Sequence, residues 1–317
     1  MDAYREAMAG QAAVRVKVGA SRTVPGTVGA LVASYLGSPD FLTLRPATRT
    51  TYRNILERFR AEHGNKRVAK LEREHVVAML AAKLNTPAAA NHWLRLIKML
   101  MAFAVNVGMR PDDPTRGIKN IGAKSEGFHT WTEEQITQFE RKHAIGTRAR
   151  LALALLLYTA QRRGDAVRMG RQHIRKGELH ITQGKTGTTL AIPVHPDLQV
   201  LIEATPASKQ HLTFLTTSGG KPFTAAGFGN WFRDMCSDAG LPKACSAHGL
   251  RKAACRRLAE AGCSEKQIAA ISGHSDLREV ARYTRAADQA RLARKAMEAM
   301  RETFPVSRET KTATPSD

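Results

Sequence analysis

Apolar residues along this chain recur mostly at steps of three and four, the spacing of helices that bury one face. Residues 1–25 lack that period and run into SRTVPGT, so they read as a mobile arm. The pattern then starts at once: Val28, Leu31, Val32 and Tyr35 share a face, and Thr27 is placed to cap the helix. Gly37 and Pro39 interrupt it. A second helix follows, with Thr48 as its expected N-cap and Tyr52, Ile55, Leu56 and Phe59 as its stripe. Residues 72–84 and 87–107 predict two more helices. In the last, Trp93, Leu96, Ile97, Leu100, Phe103, Ala104 and Val107 form one apolar face, which Gly108, Pro111 and Pro114 end. Residues 26–114 therefore predict a small all-helical domain.

Residues 115–130 (TRGIKNIGAKSEGFHT) are basic, contain glycine and show little period, so they read as an interdomain linker. A plain solvated connector and a segment that follows a charged groove would both look like this. A second domain is expected over 131–290. Thr132 caps a helix whose first turn carries Glu133 and Glu134, which suits the helix dipole. Another helix is expected at 147–158. Two β-prone segments, 178–182 and 188–194, flank the Gly-rich stretch Gln183–Gly187 and predict a hairpin. Helical periodicity returns from Pro196. Over 291–317, Leu292, Ala296, Met300 and Phe304 predict a C-terminal helix, and the closing PVSRETKTATPSD predicts disorder. The expected fold is mainly α, with a small β-sheet in the second domain.

The chain of 317 residues is long enough for two cores, and its 43% hydrophobic content excludes a disordered chain. Its formal net charge of +21 fits a polyanionic partner, because neutralised phosphates release condensed counterions. A basic ribosome-associated protein would carry similar charge. The longest apolar run, Leu151–Ala160, is too short to span a membrane, and MDAYREAMAG lacks a signal-like core. Cys236, Cys245, Cys255 and Cys263 form no CxxC pair, which predicts reduced thiols and a cytoplasmic location. Cys245 with His248 has metal-like spacing, but no second pair completes a site. No metal or other cofactor is expected.

The candidate chemistry lies in the second domain. His248-Gly-Leu-Arg251 puts a histidine and an arginine on one helical face. By itself that signal is weak, since His92-Trp-Leu-Arg95 repeats it on an ordinary amphipathic helix. The context of His248 is richer. Gly273-His274 follows 26 residues after it and Tyr283 nine residues after that, while Arg162 and Lys185 lie upstream. Lys176 competes with Lys185, and Tyr158 with Tyr283, though Tyr158 sits in the apolar run and reads as core.

In this order the residues resemble the tyrosine recombinase (phage integrase) family. Its first box, approximately Thr-Gly-x-Arg-x-x-Glu, corresponds to Thr159-Ala160-Gln161-Arg162-Arg163-Gly164-Asp165. The hairpin lysine corresponds to Lys185, His-x-x-Arg to His248 and Arg251, Leu-Gly-His to Ser272-Gly273-His274, and the nucleophile to Tyr283. Ala160, Asp165, Ser272 and Val280 depart from the family's glycine, glutamate, leucine and threonine.

The resemblance implies a helical, SAM-like core-binding domain followed by an α+β catalytic domain. It implies a site-specific recombinase that cuts and rejoins DNA through a 3′-phosphotyrosine, without metal or ATP, to integrate or excise a phage or other mobile element. Arg162 and Arg251 would hold the phosphate oxygens, Tyr283 would attack, and Lys185 would protonate the leaving oxygen. His248 would accept or shuttle a proton, His274 would donate to the phosphate, and Asp165 would orient a neighbour. Double-stranded DNA with paired sites is the implied partner. The implied assembly is a homotetramer at synapsis and a monomer when free, with room for an accessory DNA-bending or directionality factor. A type IB topoisomerase-like relaxase and a DNA-binding regulator that kept only the fold are the rival readings.

Overall fold

A computed structural model describes residues 23–122, 127–206 and 211–304. The expected arm up to residue 22 and the polar tail from residue 305 lie outside them. Contacts divide the chain into two units, 1–125 and 126–317.

The first unit is built from α1 (Val28–Gly37), α2 (Pro39–Leu42), α3 (Pro46–His63), α4 (Arg73–Ala81) and α5 (Pro87–Asn106). Thr27 Oγ1 accepts from the Ala30 backbone N–H and caps α1. The helix α3 has Arg45 as its N-cap, three residues before the expected Thr48. Pro46 takes the first helical position, where its missing N–H has no partner to lose. Val28, Leu31, Val32, Tyr35, Leu56 and Phe59 are buried against α5, whose inner face includes Trp93, Leu94, Ile97 and Leu100. Residues 115–121 carry no helix or strand but are held on this unit. Ile118 is buried in its core, Lys98 Nζ donates to the Ile118 carbonyl (2.5 Å), and the Asn91 side chain makes two hydrogen bonds to the Ile121 backbone.

The second unit contains α6 (Glu133–Lys142), α7 (Arg148–Thr159), α8 (Arg163–Ala166), β1 (Ile174–Arg175), β2 (Glu178–Thr182), β3 (Thr189–Pro193), α9 (Pro196–Ala204), α10 (Ala225–Asp238), α11 (Ala247–Glu260), α12 (Glu265–Ser272) and α13 (Leu277–Thr303). Thr132 and Gln135 form a reciprocal capping box at the start of α6. The helix α7 is apolar on nearly every side and is buried, the state such a helix requires. It packs against α9 and α11. The sheet is antiparallel in the order β1-β2-β3, with Leu179 opposite Ile192 and Ile181 opposite Leu190. The two-residue β1 was not expected, because so short a strand shows no alternation to read. The fold is mainly helical with one small sheet, as the pattern predicts. All four cysteines are free thiols. Among the described residues, no helix is long and apolar enough to cross a membrane.

Candidate active site

Two helix ends and one hairpin turn of the second unit carry Arg162, His274 and Lys185, while His248 and Arg251 lie near the start of α11 and Tyr283 on α13. The first end is that of α7. Its C-cap, Ala160, adopts φ +52°, a left-handed conformation that strains a residue with a Cβ. This turn aims the Ala160 carbonyl at α11, where it accepts from Arg251 Nη1 at 2.7 Å. The second end is that of α12. Gly273 caps it at φ +69° and turns the chain to present His274. His274 Nε2 lies 3.1 Å from Arg251 Nη2, and its Nδ1 lies 2.7 Å from Ser272 Oγ.

The turn is that of the β2–β3 hairpin, closed by hydrogen bonds from Gln183 N–H to the Thr188 carbonyl and from Gly187 N–H to the Gln183 carbonyl. Lys185 is exposed on it. Asp165, buried at 6% exposure, accepts from the turn's Gly184 N–H (2.8 Å) and from Arg168 Nη2 (2.6 Å). Lys176 lies on the β1–β2 turn, at the far end of β2 from Lys185, roughly 17 Å away for a five-residue strand.

Buried glutamines join the three segments. Gln183 Nε2 donates to Gln161 Oε1 (2.6 Å) and to the Ser272 carbonyl (2.8 Å). Its Oε1 accepts from Arg162 Nη1 (3.1 Å) and Thr186 Oγ1 (2.7 Å). Gln161 Nε2 donates to the carbonyls of Thr159 and Ile271. The motif reading overlooked both glutamines. One signal was available: Gln183 continues the inward-facing series Leu179, Ile181, so an amide was due on a buried face. It also overlooked Phe128, whose ring lies 4.3 Å from that of His248, and the need for Gly249. A Cβ at Gly249 would come within 2.3 Å of the His129 carbonyl and 2.8 Å of Trp131.

Electrostatics links the remaining residues. Arg251 is buried, and burial together with Arg162 lowers its pKa to about 10, so it stays charged at neutral pH. Burial, then Arg251 and Arg162, pushes His274 down to about 4. Burial lowers His248 too, with Arg251, Arg162, Lys252 and Lys185 acting in the same direction. The half-buried Tyr283 on α13 is raised to about 12 by burial and the Cys255 thiol, while Arg251 opposes the rise. Arg162, Lys185, His248, Arg251, His274 and Tyr283 thus form one chain of mutual influence, which Lys185 joins through its charge acting on His248. Tyr158 is elsewhere engaged: its hydroxyl donates to Asp197 Oδ2 (3.0 Å) and its ring stacks on His195. Among the described residues, no three His, Cys, Asp or Glu side chains gather as a metal site.

Such a cluster offers two fixed cations, two neutral imidazoles and a phenol, a set suited to an anionic ester. The sequence model described as the Phage integrase family matches residues 130–290, just over half of the chain. A curated relative, the integrase of Escherichia phage HK022, is 27% identical over 153 residues, a stretch that spans 48% of this chain and 43% of the relative. Among solved structures, a lambda integrase fragment, described as a dimer bound to a COC′ core site, superposes with a TM-score of 0.70 at 20% identity, covering 81% of this chain and 95% of its own. A lambda integrase tetramer bound to a Holliday junction gives 0.70 at 20%, covering 87% and 85%. The Tn1549 transposon integrase with circular intermediate DNA gives 0.68 at 16%, covering 84% and 99%.

Proposed function

Because this chain belongs to the phage integrase family, we propose that it is a site-specific recombinase that cuts and rejoins DNA through a 3′-phosphotyrosine at Tyr283. The observation that carries this reading is the buried Arg251 guanidinium, which shares one pocket of charge with Arg162, His274 and the Tyr283 phenol. A phosphodiester gains negative charge on its non-bridging oxygens as it is attacked. Arg162 and Arg251 are held by the Gln183 amide and the Ala160 carbonyl, so their charge is in place before the reaction begins.

Tyr283 Oη attacks phosphorus and the bond to the 5′-oxygen breaks. With its pKa near 12, the phenol needs a base or a cationic field to lose its proton. His248 takes that proton, since its lowered pKa keeps it neutral and able to accept. Lys185, on the hairpin turn, protonates the leaving 5′-oxygen. His274 adds a hydrogen bond to the phosphate once its Nε2 carries a proton. Asp165 holds the Lys185 turn through Gly184 N–H. A free 5′-hydroxyl reverses the step, and the phosphotyrosine keeps the energy of the broken bond, so neither ATP nor a metal is required. The DNA would be a duplex with paired sites of a phage or other mobile element, engaged by a tetramer assembled from monomers, with scope for an accessory bending or directionality factor. The dimeric and tetrameric lambda integrase complexes support that assembly.

The test is covalent capture on nicked suicide duplexes. Wild type should trap the 3′ end, and Tyr283→Phe should bind without trapping. Tight binding by wild type with no capture would refute the enzyme and favour a regulator. Relaxation of any supercoiled plasmid, without paired sites, would instead mark a topoisomerase-like relaxase.

A further inference from the structure

The hydrogen-bond chain running through His274 can be assigned proton by proton. Arg251 supplies the starting point. A guanidinium has only donors, so the 3.1 Å contact between Arg251 Nη2 and His274 Nε2 is a bond only if Nε2 is bare and accepts. The neutral ring then carries its proton on Nδ1. That proton points at Ser272 Oγ, 2.7 Å away, which must accept it. The single hydroxyl proton of Ser272 is therefore directed elsewhere, to the Ile268 carbonyl at 2.6 Å. The reverse arrangement, with Ser272 donating to Nδ1, would face an Nε2–H against the guanidinium N–H. A doubly protonated ring would face the same clash, and the strongly lowered pKa of His274 agrees with a neutral imidazole. Glu279 Oε2 lies 3.7 Å from Nε2, beyond hydrogen-bond reach, and is well exposed.

We propose that Ser272 is a positioning residue that fixes the Nδ1–H tautomer of His274 in the DNA-free protein, so that the bare Nε2 aims the Arg251 guanidinium until a phosphate takes its place. The family's usual leucine at this position could not accept the Nδ1 proton. Ser272 itself is fully buried, so its hydroxyl cannot be replaced by a passing water without rearrangement. Gln183 Nε2 donates to the Ser272 carbonyl, which holds the same residue from its backbone side. The arrangement amounts to a relay, Arg251 to His274 to Ser272 to Ile268, with the Cys255 thiol as a further neighbour of the Ser272 hydroxyl.

The tautomer stands on geometry alone, whereas its consequence for strand cleavage rests on the recombinase reading, and the test separates the two. The full-length protein, labelled with 15N-histidine and free of DNA, is measured by long-range 1H–15N correlation at neutral pH. His274, assigned through His274→Asn, should show the Nδ1–H tautomer. In Ser272→Ala the signal should move toward Nε2–H, and in Ser272→Thr, which keeps a hydroxyl, it should stay with wild type. An Nε2–H tautomer in wild type overturns the proposal, whatever the variants do. So does a tautomer unchanged in Ser272→Ala. In single-turnover capture, Ser272→Ala should slow covalent trapping on the order of tenfold, for one lost hydrogen bond to the ring that aims a charged group, and Ser272→Thr should restore it. Wild-type tautomer as assigned but equal trapping in all three proteins would overturn the aiming role. Absence of trapping in wild type would strike the recombinase reading and leave the tautomer assignment standing.

Discussion

Replacing Gly273 by alanine should damage this protein far more than the same change at a glycine of similar backbone. Two costs combine. At φ +69° an alanine is strained by about 1–2 kcal/mol. Its Cβ would also meet the Gln183 amide, at 2.4 Å from Nε2, 2.7 Å from Cδ and 2.8 Å from Oε1. The far end of a flexible side chain could ordinarily move aside, but this amide is buried and bonded to Gln161, Ser272, Arg162 and Thr186. Moving it breaks about two of those bonds, at about 1–1.5 kcal/mol each and more for the one to a guanidinium, so the total is about 3–5 kcal/mol. Gly177 provides the control: its φ is +79° and nothing lies within 4 Å of a built Cβ, so Gly177→Ala should cost only the backbone strain. Urea unfolding followed by tryptophan fluorescence, with separate transitions for the two units, gives both values. Covalent capture should fall with Gly273→Ala, because Arg162 loses its acceptor, and stay normal with Gly177→Ala. Equal destabilisation by the two substitutions would refute the clamp argument.

Other outcomes follow from the same geometry. Ala160→Gly should raise stability by about 0.5–1 kcal/mol, because glycine accepts the left-handed cap and only one buried methyl is lost; thermal unfolding checks this, and a lower midpoint counts against strain at Ala160. The second unit should lose stability as the pH falls from 6.5 toward 4, because the unfolded chain protonates His274 and His248 while the fold resists, so the unfolded state binds more protons in that window. His274 contributes at most about 3 kcal/mol to that loss, and a flat urea midpoint between pH 4 and 7 would contradict its burial as a neutral ring. Asp165→Ala should slow covalent capture about 10- to 100-fold by freeing Gly184 and Arg168, with Asp165→Asn intermediate; capture at the wild-type rate would remove Asp165 from the turn's support. Leu292, Met297, Met300 and Phe304 are exposed on or just after α13. We read that face as docking on a neighbouring protomer, so deleting residues 286–317 should weaken synapsis more than single-site binding in a gel-shift series, and unchanged synapsis would sink it.

The elements legible in the sequence were those with a strong period or an unambiguous cap. The inner face of α1 and most of the α5 stripe follow from apolar spacing, although Val107, read as the end of that stripe, is the exposed C-cap, and Thr132 announced its cap but not the reciprocal bond from Gln135. Boundaries failed where backbone chemistry outranks side-chain pattern, as with Pro46 opening α3 ahead of Thr48. At the candidate site, motif order picked out charged and nucleophilic groups, since these recur in short recognisable boxes. It gave no access to what holds them. Beyond local bonds to Thr159 and Thr186, Gln161 and Gln183 act through bonds to residues 21 to 110 positions away, and no local window contains both ends of these. Ser272 stood out only as a departure from leucine, whereas folded it touches His274 and Ile268.

The glutamine clamp also bears on how such a chain is kept harmless while it is being made. An enzyme that severs DNA endangers its host whenever cutting is uncoupled from rejoining. Here the segment around Arg162 is fastened to the hairpin by a bond spanning 21 residues and to the end of α12 by one spanning 110, and Arg251 is seated by a carbonyl 91 residues before it. No stretch of polypeptide that fails to span residues 162–283 can gather both guanidiniums around the tyrosine. On the recombinase reading, a chain stalled before Tyr283 lacks the nucleophile and a fragment that begins after Arg162 lacks a guanidinium, so neither could cut DNA.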